Sequence, residues 1–217
     1  MTKSQKKNIA ASVRARLLNL ARQRGDDFQL LLIRYANERL LFRLASSPYG
    51  EQFVLKGASL FTLWTGQPHR ATRDIDLLGF GDPAGQHLRA VFTHVLSADV
   101  PDDGVLFDLS SLSSGPIREG QAYGGTKIEI DARVANALVH LKVDIGFGDA
   151  ITPDATLVEF PSLLDFPPPH LRTYPRETVV SEKLDAIVQL GLANSRMKDF
   201  YDRMVLAKNF DFDGVHR

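Results

Sequence analysis

The sequence predicts an α+β fold, in which a mixed β-sheet is flanked by helices and followed by a small helical C-terminal part. Three observations support this fold class. Apolar residues recur with helical spacing at both ends of the chain, strand-like segments alternate in polarity through its middle, and two of those segments form a hairpin. We expect a helical pair over residues 1–50 that packs on a core over 51–160, and a helical part over 161–217.

The composition excludes several classes of protein. The chain has 217 residues, with 26 basic and 26 acidic side chains, so it has no overall basic character. It contains no cysteine, which excludes disulfides, thiolate metal sites and cysteine nucleophiles and fits a reducing compartment. It has no apolar run as long as a membrane span and no signal-peptide core, so we expect a cytoplasmic protein.

Two helices are predicted at the start of the chain. Ile9, Val13 and Leu17 recur at helical spacing, and Asp26-Asp27 precedes a second apolar-periodic segment, FQLLLIRYANERLLFRL. Residues 1–25 hold seven basic side chains and no acidic one. A solvated outer helix face is the simpler explanation, and contact with a phosphate backbone is the alternative.

The next segments alternate between strand and helix. FVLKG is predicted to be a strand, ASLFTLW a short helix and DIDLLGF a second strand. Gly81-Asp82-Pro83 is expected to cap a helix that runs to about Ser97. Residues 98–126 are rich in turn formers, and only VLFDLSSL resembles a strand there.

A hairpin and two further helices complete the predicted elements. KIEIDARV and LVHLKVDIGFG both alternate, and the short link Ala135-Asn136-Ala137 joins them. Residues 153–169 are predicted to be extended and irregular, because they include three consecutive prolines. Helices are expected at about 176–190 and 196–208.

The clearest chemical signal is the acidic pair in DIDLLGF. Side chains two apart on a strand share a face, so Asp74 and Asp76 point together while Ile75 and Leu77 point into the core. Adjacent carboxylates resist ionisation, and a divalent cation such as magnesium removes that penalty. An isolated pair of this kind is commonly a solvated strand end, but the apolar surroundings favour a metal site here.

A third carboxylate would complete a two-metal site. In LVHLKVDIGFG the apolar side chains share one face, and His140, Lys142 and Asp144 share the other. Asp144 is therefore the best third acid, with Asp131 and Glu129 on the partner strand as reserves. Small residues before the short helix would let a phosphate approach the backbone, which together with a metal indicates nucleotide chemistry.

The two C-terminal helices each carry an apolar stripe that we expect to be buried. In the first, the stripe has Lys183 at its border, where a lysine commonly lays its stem over the core and less often points into a cleft. In the second, Asp199 and Asp202 lie opposite the stripe and are expected to be solvated. The stripe residues are Val180, Leu184, Ile187 and Val188, and then Met197, Phe200, Tyr201, Met204 and Val205.

These segments resemble a known family. KGASL followed by RATRDIDLL is similar to the signature of AbiEii/AbiGii-type toxin nucleotidyltransferases, which belong to the polymerase-β-like superfamily. LKVDIGFGDAITP, YPRETVVSEKLDAIVQLG and SRMKDFYD agree with later blocks in the same order, so the resemblance covers roughly residues 50–208. Ala58 departs from the pattern, since the family usually has a second glycine there.

The resemblance implies transfer of a nucleoside monophosphate from a triphosphate to an acceptor hydroxyl. Asp74 and Asp76 would bind Mg²⁺ or Mn²⁺, with Asp144 as the third acid that shares a second ion. The remaining site residues are Lys56, Gly57 and Ser59 beside the phosphates, Arg70 and Arg73 as positive groups near the acids, and Lys183 and Asp199 as functional residues of the helical part.

The resemblance also implies biological partners. The chain would be the toxin of a toxin–antitoxin pair, with a cognate antitoxin and an RNA acceptor such as the 3′ end of tRNA. Two alternatives from other classes stay open at this point. A glycosyltransferase also uses an Asp-x-Asp pair with a metal and a nucleotide sugar, and a non-catalytic module could keep the acids to bind a nucleotide or a partner.

Overall fold

The computed structural model describes residues 8–66, 71–117, 125–190 and 197–212. Within these ranges the chain forms a seven-stranded mixed sheet and six α-helices, with a short 3₁₀ turn at Gly50–Gln52. The predicted α+β class is therefore confirmed.

The bounds of the elements are as follows. The helices are α1 Ile9–Arg24, α2 Phe28–Ala45, α3 Ser59–Thr65, α4 Gly85–Leu96, α5 Arg176–Leu190 and α6 Met197–Asn209. The strands are β1 Phe53–Lys56, β2 Ile75–Gly79, β3 Val105–Pro116, β4 Thr126–Val134, β5 Ala137–Phe147, β6 Thr156–Glu159 and β7 His170–Thr173.

The strand order of the sheet is β3-β4-β5-β2-β1-β7-β6. Strand β2 pairs parallel with β5 and antiparallel with β1, while β1 pairs parallel with β7. The functional segments of the sequence therefore meet at the centre of the sheet, where β5, β2 and β1 are neighbours. Helices α1, α2 and α4 pack against the strands and enclose the core.

Local capping explains where the first two helices begin and end, and both predicted helices are confirmed. The side chain of Asn8 accepts a hydrogen bond from the N–H of Ala11 at 3.0 Å at the start of α1. Asp27 accepts one from Leu30 at 2.8 Å at the start of α2. Gly25 ends α1 in the left-handed conformation, which glycine adopts without strain.

The hairpin of β4 and β5 is also confirmed. Its two-residue turn places Ala135 at a φ of 55°, and Val134 pairs with Ala137 across it. Along both strands burial alternates, so that Val143 and Ile145 lie in the core while the side chains between them face outward. This alternation fixes the register, because a shift by one residue would bury the charged face.

The structure corrects two predictions about strands. Residues 153–169 contain the strand β6, and β7 follows directly, so this segment extends the sheet beyond β1 instead of staying irregular. Strand β3 runs to Pro116, past the predicted end of VLFDLSSL, with an irregular register between Asp108 and Ser113. Short edge strands and bulged strands lack the regular alternation from which a strand is predicted.

The burial predicted for α5 and α6 is wrong on both helices. Val188 is 75% exposed and Met197 is 71% exposed, although both belong to the stripes expected to be buried. Lys183, Asp199 and Asp202 are buried instead. A helical period identifies an apolar face but not which face its neighbours cover, and here an ion-paired face lies between the two helices.

None of the helices that the structure describes is long and apolar enough to cross a membrane.

A buried ion pair fixes α2 to the start of β3. Arg43 Nη1 and Nη2 donate to the carboxylate of Asp103 at 2.7 and 3.2 Å, and both side chains are at most 7% exposed. The same carboxylate accepts a hydrogen bond from the N–H of Val105 at 3.1 Å, and the Asp103 carbonyl accepts one from the hydroxyl of Tyr35 at 2.7 Å. Removing one partner would leave the other as an uncompensated buried charge.

We expect Asp103→Asn to lower the free energy of unfolding by about 3 kcal/mol, because the Arg43 guanidinium would lose its charged partner inside the fold. Asp165→Asn is the matched control, since Asp165 pairs with Arg16 at the same 2.7 Å but is 96% exposed. Urea unfolding followed by circular dichroism measures both. Equal losses of unfolding free energy in Asp103→Asn and Asp165→Asn would contradict the stabilising role of the buried Arg43–Asp103 pair.

Candidate functional site

Three carboxylates meet at the centre of the sheet. Asp76 on β2 and Asp144 on β5 are direct register partners in the parallel pair, and Asp74 lies just before β2. All three are partly buried, and they lie on the face of the sheet opposite to the buried side chains of Ile75 and Val143. The register of β2 and β5 places Asp76 beside Asp144, and Asp74 precedes Asp76 by two residues.

Gly57 makes room for Asp76. It follows β1 at a φ of +74°, and a Cβ built on it would lie 2.7 Å from Cγ of Asp76 and overlap the carboxylate. Only glycine satisfies both the left-handed backbone and this close approach. Ala58, which departs from the family pattern, adopts a φ of −69° in the helical region, so its side chain needs no special conformation.

Asp76 and Asp144 hold their protons more tightly than ordinary carboxyls. Burial, and then the charge of Asp144, raise the pKa of Asp76 to about 6. The pKa of Asp144 is raised as well, because burial and the charge of Asp74 outweigh the opposing effect of Lys142. Two neighbouring carboxylates in this setting favour either a shared proton or a bound cation.

Lys142 lies among these carboxylates. It precedes Asp144 by two residues on the same face of β5, and its Nζ lies 3.3 Å from Asp144 Oδ2 and 3.7 Å from Asp74 Oδ2. Burial by itself would lower the pKa of Lys142, but the charges of Asp144 and Asp74 raise it overall. The ammonium therefore supplies positive charge inside the acidic cluster.

Lys56 lies on the other side of Asp76. It pairs with Asp76 across β1 and β2, and its Nζ donates to Asp149 Oδ2 at 2.6 Å and to Glu182 Oε1 at 2.7 Å. The hydroxyl of Tyr174 donates to the same Asp149 oxygen at 3.1 Å. Burial would lower the pKa of Lys56, but the charge of Glu182 and both hydrogen bonds raise it overall.

The other predicted phosphate-side residues are placed as follows. Ser59 is the first residue of α3 and lies two positions after Gly57. Arg73 is exposed just before Asp74, and its carbonyl accepts a hydrogen bond from Nδ2 of Asn37 at 2.8 Å. Arg70 lies outside the residues that the structure describes.

Lys183 and Asp199 contact each other rather than the three acids. The Lys183 Nζ lies 3.2 Å from Asp199 Oδ1 and 2.6 Å from Asp202 Oδ2, and all three side chains are buried between α5 and α6. The lysine is therefore not a stem laid over an apolar border, and the two aspartates are not solvated. Both expectations from helical periodicity are wrong.

Asp131 and Glu129, the alternative candidates for the third acid, pair with other residues on the same sheet face. Asp131 Oδ1 lies 2.8 Å from Nδ1 of His140, and Glu129 pairs with Lys127 at 3.0 Å. Neither is the register partner of Asp76, whereas Asp144 is. Of the three candidates, Asp144 is the acid that the fold brings to the pair.

The carboxylates fit a divalent cation by two observations. Oδ1 of Asp144 is buried, and no described residue donates a hydrogen bond to it. The missing side chain of Gly57 leaves space that the Asp76 carboxylate occupies, and any other residue there would overlap it. Over the described ranges, however, no group of three or more His, Cys, Asp or Glu side chains is already gathered as a ready metal ligand set. Two of the acids, Asp74 and Asp144, contact the ammonium of Lys142 instead.

Several residues of the site were missed in the sequence. Asp149 and Glu182 hold Lys56, Asp202 holds Lys183, and Asn37 holds the backbone before Asp74. Asp149 follows the third acid closely and Glu182 adjoins Lys183, so their positions beside named candidates were a usable signal. For Asn37 the sequence carries no such signal, because the contact joins α2 to a distant loop.

Two solved structures resemble this fold. One is the crystal structure of a Helicobacter pylori protein provisionally assigned as a nucleotidyltransferase, with a TM-score of 0.54 and 18% identity over 85% of this chain and 70% of that one. The other is JHP933 from Helicobacter pylori, also with a TM-score of 0.54 and 18% identity, over 85% of this chain and 68% of that one. At this identity the likeness establishes the fold.

The sequence match is more specific. No protein among those with curated descriptions is significantly similar to the chain. The model of a family described as nucleotidyl transferase AbiEii toxin, type IV toxin–antitoxin system, matches residues 39–216. This match covers most of the chain and both strands that carry the acids, and it sets aside the glycosyltransferase alternative. The chain therefore belongs to the AbiEii family of nucleotidyltransferase toxins.

Proposed function

We propose that this nucleotidyltransferase depends on a divalent metal and transfers a nucleoside monophosphate from a nucleoside triphosphate to an acceptor hydroxyl at Asp74, Asp76 and Asp144. The observation that carries the proposal is the register of β2 and β5, which sets Asp76 beside Asp144 and leaves Asp144 Oδ1 buried without a hydrogen-bond donor among the described residues. An oxygen in that position is suited to a cation.

Asp74, Asp76 and Asp144 are the residues that would hold Mg²⁺, or Mn²⁺ in its place. When bound, such an ion neutralises the triphosphate and acts as a Lewis acid at the transferred phosphoryl group. The chain's own part is to fix the three carboxylates on one sheet face and to supply positive charge beside them through Lys56 and Lys142.

Lys56, Gly57 and Ser59 would border the nucleotide phosphates. Lys56 is 15% exposed and already donates to two carboxylates, so its ammonium is oriented towards anionic oxygens beside Asp76. A triphosphate would compete with Asp149 and Glu182 for this ammonium. Arg73 and Arg70, which precede Asp74 closely in the sequence, would supply further positive charge to the phosphates.

We extend the proposal to the acceptor and the partners. The acceptor is an RNA hydroxyl, with the 3′ end of tRNA as the first candidate, and a cognate antitoxin neutralises the toxin in the cytoplasm. The family supports a toxin with an antitoxin partner. Lys183 and Asp199 act through α5, which also carries Glu182 to Lys56.

The central test supplies the protein with Mg²⁺, total cellular RNA and each labelled triphosphate in turn. We expect the label from one triphosphate to appear on an RNA species. Asp76→Asn and Asp144→Asn should reduce the rate by at least about a thousandfold, because each removes a charge that would hold the metal. Asp131→Asn is the control, since this acid lies on the same face but contacts His140. Unchanged labelling in either site variant would refute the assignment.

Gly57→Ala should abolish metal binding and transfer, because the new Cβ would displace the Asp76 carboxylate. Gly66→Ala is a matched control: Gly66 has the same φ of +74°, but no atom of the described residues lies within 4 Å of the added Cβ. Both substitutions strain the backbone by about 1–2 kcal/mol, so thermal melts should shift similarly. Equal losses of Mn²⁺ affinity in the two variants would show that strain, and not the clash with Asp76, is responsible.

Asp76 should make the stability of the metal-free protein depend on pH. Its pKa of about 6 means that the folded chain binds this proton more tightly than the unfolded chain does. The contribution of Asp76 is therefore favourable at low pH and is lost as the pH rises through 6. Asp76→Asn should stabilise the metal-free protein by about 2–3 kcal/mol at pH 8, and by little near pH 4. Urea unfolding in a chelator measures this, and a pH-independent difference would contradict it.

A further inference from the structure

Lys142 raises a question that the family assignment leaves open. Its ammonium is within 4 Å of two of the three acids, at 3.3 Å from Asp144 Oδ2 and 3.7 Å from Asp74 Oδ2. It therefore occupies the space between Asp74 and Asp144. A two-ion site would place a divalent cation at Asp144, close to this ammonium.

The two oxygens of Asp144 face different surroundings. Oδ2 bonds to the ammonium of Lys142, whereas Oδ1 is buried with no donor among the described residues. Asp144 therefore has one oxygen already paired with a cation and one left for another. The oxygen that lacks a described donor belongs to the register partner of Asp76, so these two acids are the natural ligands of one divalent ion.

Electrostatics opposes a divalent ion on the other side. An ammonium and a divalent ion that share one carboxylate oxygen would repel each other at close range in a partly buried site. The Lys142 side chain is 32% exposed and is anchored at the middle of β5, so it starts from a fixed strand position next to both acids. Displacing it would remove the ammonium that lies within 4 Å of both Asp74 and Asp144.

We propose that Lys142 is the built-in second cation of the site, so that the chain binds one divalent ion at Asp74, Asp76 and Asp144 Oδ1 while the ammonium holds the position between Asp74 and Asp144 Oδ2. This inference rests on the proposed metal dependence and specifies the number of ions. Lys142 thereby sets the charge and position of Asp144.

Lys127 provides a matched control. It is the direct register partner of Asp144 on β4, so its backbone is as close to the site as that of Lys142. Its ammonium, however, pairs with Glu129 at 3.0 Å. Replacing Lys127 removes the same charge from the same sheet face without emptying the position between Asp74 and Asp144.

The experiment counts bound Mn²⁺ per chain by electron paramagnetic resonance and equilibrium dialysis, without nucleotide. We expect one tight ion in the unaltered chain, lost in Asp76→Asn. In Lys142→Met we expect a second ion, with an affinity at least about tenfold higher than any second ion has for the unaltered chain. Adding Asp144→Asn to this variant should remove the second ion. Lys142→Arg and Lys127→Met should both bind one ion, and thermal melts check that every variant is folded.

The outcomes separate this inference from the proposed function. Two tight ions in the unaltered chain, with no change in Lys142→Met, would overturn the inference and leave the metal-dependent reaction intact. A second ion that appears equally in Lys127→Met would also overturn it, because the effect would then be one of general charge. No Mn²⁺ binding, or binding that survives Asp76→Asn, would overturn both the inference and the proposed metal site.

Discussion

The parallel pairing of β2 with β5 forces two carboxylates onto neighbouring positions of one sheet face, and the rest of the site responds to that constraint. Asp76 and Asp144 cannot both carry an uncompensated charge in a partly buried position. Two ammonium groups lie near these acids. Lys142 pairs with Asp144, and Lys56 on β1 is the register partner of Asp76 on β2. Even so, among the described residues the carboxylates of the site outnumber the ammonium groups that pair with them before any substrate binds.

The antiparallel pairing of β1 with β2 determines the other half of the site. Since the two strands run in opposite directions, the end of β1 lies beside the start of β2, and Gly57 comes to rest against the Asp76 carboxylate. Helix α2 also supports this region, because Nδ2 of Asn37 donates a hydrogen bond to the carbonyl of Arg73, the residue before Asp74. The position of the acids therefore depends on long-range contacts as much as on their own strand.

The local parts of this arrangement could be predicted from the sequence. Alternation of polarity in the β4–β5 segment was sufficient to find the hairpin and to place Asp144 on the polar face. The same alternation put Lys142 on that face, but not between two acids, because its partner Asp74 comes from a strand far away in sequence. Asp149 and Glu182 lie close in sequence to Asp144 and Lys183, which indicates that they belong to the site, but their hydrogen bonds to Lys56 join distant segments and could not be predicted.

The C-terminal helices show where periodicity misleads. An apolar stripe predicts the buried face only when the neighbouring element is apolar too, and here α5 and α6 meet through Lys183, Asp199 and Asp202. The ammonium of Lys183 pairs with both carboxylates inside the fold, and such a buried ionic group is stable only if the helices hold it in a fixed geometry. Successive residues on a helix point about 100° apart, so α5 directs Glu182 to Lys56 while Lys183 faces α6. The ion-paired face therefore fixes the position of α5, and through Glu182 it fixes the surroundings of the lysine beside Asp76.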